Sequence, residues 1–115
     1  MNIVVTFKTE DFQSSSLLMI SDISSVCDMF KYIVKNLFYN KKITQVTISE
    51  IEDDRVITRI SLKGCQKWIK EDVIQSYLVV PALFNVLSAF DFYPVQSISE
   101  EFGYDLEELE KILQG

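Results

Sequence analysis

The chain has no histidine, and glycine, proline and cysteine are rare, with three, two and two among its 115 residues. Imidazole is the usual general base near neutral pH and the commonest metal ligand, so Ser-His-Asp and Cys-His catalysis within the chain are excluded. Cys27 and Cys65 lie far apart without CxxC spacing and cannot complete a four-ligand zinc site by themselves. We therefore predict a non-enzymatic protein without a metal or cofactor.

The N-terminal residues show no secretory signal, because they lack a basic region and reach an acidic residue by position 10. No uncharged apolar run approaches the length that spans a membrane. Two cysteines without a disulfide pattern are typical of buried thiols in a reducing compartment. These features predict a cytoplasmic protein that does not act at a membrane.

Hydrophobic residues make up 48% of the chain and charged residues 24%, a composition typical of a globular protein rather than a disordered one. A chain of this length can bury roughly two-thirds of the surface that its unfolded form exposes. We expect one domain over residues 1–115, with two hairpins flanking a helix in 1–63 and a mostly helical second part in 66–115.

Hydrophobic periodicity predicts an α+β fold with the order ββαββα. Apolar residues alternate in 1–9, and 17–20 is apolar on both faces, as in a well-covered strand. Ser21 and Asp22 are N-cap residues for a helix that ends near Asn40. Residues 43–51 and 55–63 form a second hairpin with one apolar and one largely polar face. A small antiparallel sheet should therefore pack helices on one face only.

The second part of the chain is predicted to be helical, with a break at Pro81. Residues 66–80 have helical composition, and proline suits the first turn of a further helix over 81–90; one kinked helix is the alternative. The spacing around Gly103 resembles a helix-turn-helix motif. The second of its helices carries four carboxylates and one lysine, where a DNA backbone would favour cations, so we predict a C-terminal helical hairpin.

Charge is distributed unevenly along the chain. Residues 1–70 hold ten basic and eight acidic side chains, whereas 71–115 hold one basic and nine acidic. Carboxylates steer a protein toward a basic partner surface, and exposed aromatic residues supply anchors for binding. The acidic and aromatic residues that we expect to contact a partner are Glu50, Glu52, Asp53, Asp54, Phe92, Tyr93, Asp105, Glu107, Glu108 and Glu110.

The function predicted from these features is non-catalytic binding of another protein with a basic surface, as in inhibitors, immunity proteins and antagonists encoded by phages or mobile elements. One alternative is a nucleic-acid-binding regulator that uses the basic residues of 31–42 and 59–70. Another is a structural subunit that forms a homo-oligomer through an exposed strand edge or an aromatic loop.

Overall fold

A computed structural model describes residues 1–90 of the chain. The main strands are β1 (Asn2–Lys8), β2 (Gln13–Met19), β3 (Gln45–Glu52) and β4 (Arg55–Lys63), and β5 (Ile69–Lys70) and β6 (Val73–Ile74) form a small second hairpin. The helices are α1 (Ile23–Tyr39) and α2 (Ser76–Ala89), with a short 3₁₀ helix at Cys65–Trp68. The predicted α+β class and ββαββα order are confirmed, and the predicted C-terminal hairpin lies outside the described residues.

The four main strands form one antiparallel sheet in the order β2-β1-β3-β4. Ile3, Val5 and Phe7 alternate along β1 and are buried on the same side of the sheet as Val46 and Ile48 of β3. The apolar faces of α1 and α2 complete this core; their fully buried members include Phe30, Ile33, Leu37, Val79, Leu83 and Leu87. The prediction that helices pack on one face of the sheet is therefore confirmed for the described residues.

Helix α1 begins at a capping box. The Asp22 carboxylate accepts a hydrogen bond from the Ser25 backbone N–H at 2.8 Å, and the Ser25 hydroxyl accepts one from the Asp22 N–H at 3.1 Å. Both bonds satisfy donors that would otherwise lack intrahelical partners. The N-cap that the sequence predicts at this position is confirmed.

Replacing this cap should weaken the fold measurably. We expect Asp22→Ala to lower the free energy of unfolding by about 1 kcal/mol, because alanine cannot accept the Ser25 hydrogen bond. Urea denaturation followed by circular dichroism measures the change. Ser24→Ala, at an exposed position in the same turn, is the control and should shift stability by less than about 0.5 kcal/mol. An equal loss in both variants would contradict a specific role for the cap.

The predicted helix over 66–80 is wrong for residues 69–74, and the predicted start of a separate helix at Pro81 is wrong. The alternative of one helix through Pro81 is confirmed over Ser76–Ala89. Residues 69–74 form a hairpin because Glu71 and Asp72 adopt left-handed backbone angles, with φ of 53° and 62°, which a helix cannot contain. Helix α2 begins at Ser76 and continues through Pro81. Proline at this position removes the hydrogen bond to the carbonyl of Tyr77, which lies at the exposed start of the helix, where water can replace the lost donor.

The hairpin of β1 and β2 also differs from the prediction. Strand β2 starts at Gln13, four residues before the predicted strand at 17–20, and it lies at the edge of the sheet instead of being well covered. Leu17 and Met19 are 68% and 67% exposed because they lie on the side of the sheet that faces away from the helices, whereas Leu18 points to the core. The apolar run at 17–20 therefore alternates between two environments, the exposed face of the sheet and the core.

Candidate functional site on the open face of the sheet

The interior of the described part has no room for a ligand. A cavity of about 10 Å³ lies between α2 and the sheet, close to the smallest space that holds one water molecule, and Ile3, Met29 and Val86 are among its apolar neighbours. Within residues 1–90, no three His, Cys, Asp or Glu side chains are grouped so that they could hold a metal ion. Neither of the two described helices is long and apolar enough to cross a membrane.

The two cysteines are buried thiols on the helical side of the sheet. Cys27 and Cys65 are each about 1% exposed and free of disulfides. Burial raises the pKa of both thiols to about 11, and the neighbouring Asp28 carboxylate adds to the rise in the pKa of Cys27. The thiolate is the form of cysteine that acts as a nucleophile and metal ligand. Both thiols are protonated at neutral pH and therefore have low reactivity.

The opposite side of the sheet, which we call the open face, is not covered by α1, α2 or any other element in residues 1–90. The strand register arranges its side chains in four rows that cross all four strands. From the β3–β4 turn to the far end, the rows are Met19-Asn2-Ile51-Val56, Leu17-Val4-Ser49-Arg59, Ser15-Thr6-Thr47-Ser61 and Gln13-Lys8-Gln45-Lys63. The first row is mostly apolar. The second is half apolar, with Leu17 and Val4 beside Ser49 and Arg59, and the last two contain hydroxyl, amide and amino groups.

The apolar half of the open face forms what we call the apolar strip, which extends from one edge strand to the other. Its members are Leu17 and Met19 of β2, Val4 of β1, Ile51 of β3, and Val56 and Ile57 of β4. Val56 and Ile57 are 46% and 50% exposed. A contiguous exposed patch of this kind is uncommon on a monomeric protein and is typical of a surface that binds a partner.

A β-bulge in the second hairpin adds Val56 to this strip. Strict alternation predicts Val56 on the same face as Ile60 and Leu62, but the register shifts at Glu50 and Ile51, so that Val56 pairs with Ile51. The extra residue of the bulge reverses the alternation for the remaining part of the strand. The predicted orientation is therefore wrong for Val56, which joins the solvent-facing side.

Four carboxylates, which we call the acidic corner, lie beside the apolar strip. They belong to Glu50, Glu52, Asp53 and Asp54, at the turn between β3 and β4. A surface depression brings three of them together with strip residues; its lining comprises Met1, Asn2, Met19, Glu50, Ile51, Glu52 and Asp53. Glu52 and Asp53 therefore border the strip at this end of the sheet, whereas Glu50 pairs with the buried Ile3 and so belongs to the helical side.

The backbone of the acidic corner is a tight two-residue turn. Glu52 pairs with Arg55, and Asp53 and Asp54 between them have φ of 51° and 61°. These angles define a type I′ turn, which glycine and asparagine adopt most easily and which suits the twist of a hairpin. The turn thus presents two carboxylates from a left-handed backbone conformation. Most other residues with a Cβ atom would adopt this conformation only at a cost in stability.

We expect Asp54→Gly to raise the free energy of unfolding by about 0.5–1 kcal/mol, because glycine adopts positive φ without a Cβ clash. Asp54→Ala removes the same charge but keeps the Cβ atom, so it should lower stability by about 1 kcal/mol. Thermal and urea unfolding of both variants separate the backbone effect from the charge effect. Equal stability of the two variants would contradict the left-handed turn.

The far end of the open face is basic but is offset by nearby acids. A groove at this end is lined by three lysines, Lys8, Lys41 and Lys42, and also by the carboxylates of Glu10 and Asp11. The other basic residues of the nucleic-acid alternative are divided between the two sides of the sheet. Lys31 and Lys35 belong to α1, which packs on the helical face, and Lys67 and Lys70 follow β4 in the 3₁₀ helix and β5. Arg59 and Lys63 of β4 lie in the rows of the open face.

The open face also lacks a platform for nucleic-acid bases, since none of its rows contains an aromatic residue. Sheet surfaces that bind single-stranded nucleic acid rely on aromatic side chains on which bases stack. The four rows of the open face contain three cations, Lys8, Arg59 and Lys63, and no carboxylate. Without an aromatic platform, however, the surface chemistry of these strands does not favour this alternative.

The structure thus brings together four of the residues predicted to contact a partner, which form the acidic corner. The other six, Phe92, Tyr93, Asp105, Glu107, Glu108 and Glu110, lie outside the described residues. The apolar strip was not predicted, because its residues come from four strands and meet only through the sheet register. The signal available in the sequence was Leu17 and Met19, separated by two positions and therefore on one face.

Comparison of the chain with protein-family models, with curated proteins and with solved structures finds no match. The function must therefore be inferred from the chemistry of the chain's own surface.

Proposed function

We propose that this chain is a non-catalytic module that binds another protein through the apolar strip, with the acidic corner facing basic groups on that partner. The observation that carries the proposal is the apolar strip itself, on a sheet face that no element of residues 1–90 covers. The position of Glu52 and Asp53 beside Met19 and Ile51 supports a partner whose apolar contact surface is bordered by lysine or arginine.

The two parts of the surface would contribute differently to binding. Leu17, Met19 and Ile57 are each at least half exposed, and covering each would contribute on the order of 1–2 kcal/mol. The acidic corner is solvent-exposed at Glu52, Asp53 and Asp54, so its charges would mainly accelerate association and select the partner. Binding should therefore weaken, but not disappear, as salt is raised.

A basic contact surface of this kind is typical of proteins that bind nucleic acid. A module that occupies such a surface competes with the phosphate backbone for the same cations. Inhibition of a nucleic-acid-binding protein or enzyme is the role that we propose for this chemistry.

Site-specific photo-cross-linking in cells of the source organism tests the proposed surface. A benzophenone amino acid is placed in the full-length chain at Leu17 or Ile57, which lie at opposite ends of the apolar strip. Matched positions at Lys35 and Asn85 are exposed on the two helices. Tandem mass spectrometry then identifies each adduct and the cross-linked residue.

We expect the two strip positions to cross-link to the same protein at a surface that contains lysine or arginine, and the helix positions to give no such adduct. Adducts with that protein only from Lys35 or Asn85 would assign binding to the helical side and overturn the proposal. Cross-links from both strip positions only into residues 91–115 of the same chain would also overturn it, since the strip would then be an internal contact.

A further inference from the structure

Strand β2 has backbone groups that point away from the sheet. Met1 and Ile20 exchange two backbone hydrogen bonds, from the Ile20 N–H to the Met1 carbonyl at 2.9 Å and from the Met1 amino group to the Ile20 carbonyl at 3.2 Å. In an antiparallel pair such exchanges recur at every second residue, so the even-numbered residues of β2 bond to β1. The odd-numbered residues direct their N–H and C=O groups outward; they are Gln13, Ser15, Leu17 and Met19.

The two edges of the sheet differ in how they discourage pairing with another strand. Strand β4 carries Arg55, Arg59 and Lys63 and contains the bulge, which are features that prevent edge-to-edge association. Strand β2 has the sequence Gln-Ser-Ser-Ser-Leu-Leu-Met, with no charge, no proline and a regular register along all seven residues. Within residues 1–90, the β4 edge of this sheet is protected and the β2 edge is not.

From this asymmetry we propose that β2 pairs with β2 of a second copy of this chain, in an antiparallel, two-fold symmetric dimer. An uncharged strand meets no like-charge repulsion when it pairs with itself. The protected β4 edge disfavours the addition of further copies, so that association closes at two chains. A heterologous contact between β2 and β4 would instead build an open filament.

Full overlap of the two strands places the two-fold axis at Ser16, with Gln13 opposite Met19 and Ser15 opposite Leu17 of the second copy. Paired residues are then both odd-numbered, so outward-facing groups meet each other and form about eight backbone hydrogen bonds. Each copy keeps its open face on the same side of the joined sheet. Leu17 and Met19 of one copy then lie opposite Ser15 and Gln13 of the other, so the two apolar strips are offset diagonally across the joined sheet. The dimer does not depend on the proposed partner protein.

Proline substitutions at the two edges test this dimer. Ser15 and Ser61 occupy the two ends of one cross-strand row, and both are exposed. The alternation of hydrogen bonds across the sheet makes the N–H of each point outward, so proline removes no bond of the sheet in either case. Light scattering of the full chain at low and high micromolar concentration gives the mass, and circular dichroism verifies the fold.

We expect the native chain and Ser61→Pro to reach twice the 13.3 kDa mass at the higher concentration. Ser15→Pro should remain a monomer, with a dimer dissociation constant raised on the order of a hundredfold. If Ser15→Pro disturbs the fold, Ser15→Lys replaces it and should give the same result. Amide hydrogen exchange at Ser15, Leu17 and Met19 should slow as the concentration of the native chain increases.

A native chain that is monomeric at the higher concentration would overturn the proposal. So would a dimer that Ser15→Pro leaves intact, since its interface would lie elsewhere. Slow exchange of the same three amides in a dilute monomer would indicate that another segment of the chain pairs with β2, and this result would also exclude the dimer. Cross-linking at Ile57 to a partner protein is independent of all these outcomes.

Discussion

Replacing Phe30 with alanine is expected to lower the free energy of unfolding by about 3–5 kcal/mol. Phe30 is fully buried at the centre of α1, and its ring stacks on the Trp68 indole with a centroid distance of 6.2 Å and an interplanar angle of 19°. The side chain thus joins α1 both to the sheet core and to the 3₁₀ helix that follows β4. The expected loss is a large part of the total stability of a typical domain, which is about 5–15 kcal/mol.

Urea denaturation monitored by Trp68 fluorescence and by circular dichroism measures this loss, since Trp68 is the chain's one tryptophan. Tyr39→Ala removes an aromatic side chain from the same helix, but Tyr39 is 82% exposed, and the change should be within about 0.5 kcal/mol. Similar stabilities of the two variants would contradict the packing of α1 against the 3₁₀ helix.

Replacing Ile57 with aspartate is expected to weaken binding of the cross-linked partner protein by about tenfold to a hundredfold. Ile57 is half exposed in the apolar strip, so the fold should tolerate the change while the surface loses an apolar contact. The new carboxylate adds to the acidic corner and would by itself favour a basic partner. A loss of affinity would therefore identify the apolar contact, and not the charge, as its cause.

The matched control for this prediction is Val73→Asp. Val73 is 59% exposed on β6, is also apolar and β-branched, and lies outside the apolar strip. Isothermal titration calorimetry with the purified partner should give the native affinity for Val73→Asp. Equal losses of affinity in the two variants would indicate a general effect of added negative charge and would contradict a role for the strip.

Local patterns in the sequence predict a large part of this fold. Helix α1 follows from apolar residues in steps of three and four after the N-cap Asp22, and the turn at Asp53 and Asp54 follows from polar residues between two alternating runs. In both cases the interactions connect residues that are close in sequence. The acidic corner was predicted for the same reason, because its four carboxylates lie within five consecutive positions.

The apolar strip and the course of residues 66–76 depend on interactions that local patterns do not contain. Leu17 and Ile57 belong to one surface because β1 and β3 lie between β2 and β4, an order that periodicity does not specify. Composition favours a helix around Trp68, but the left-handed angles at Glu71 and Asp72 produce a hairpin instead. Tertiary packing of Trp68 on Phe30 accompanies this arrangement and overrides helix propensity.

The central claim is that the apolar strip is the surface that binds a partner protein, and methyl NMR of the full chain tests it most directly. The isoleucine, leucine, valine and methionine methyl groups are labelled, and the partner identified by cross-linking is titrated in. We predict shifts or broadening for Leu17, Met19, Ile51 and Ile57, and unchanged signals for Val73. Shifts at Val73 with unchanged signals from the strip would contradict the claim.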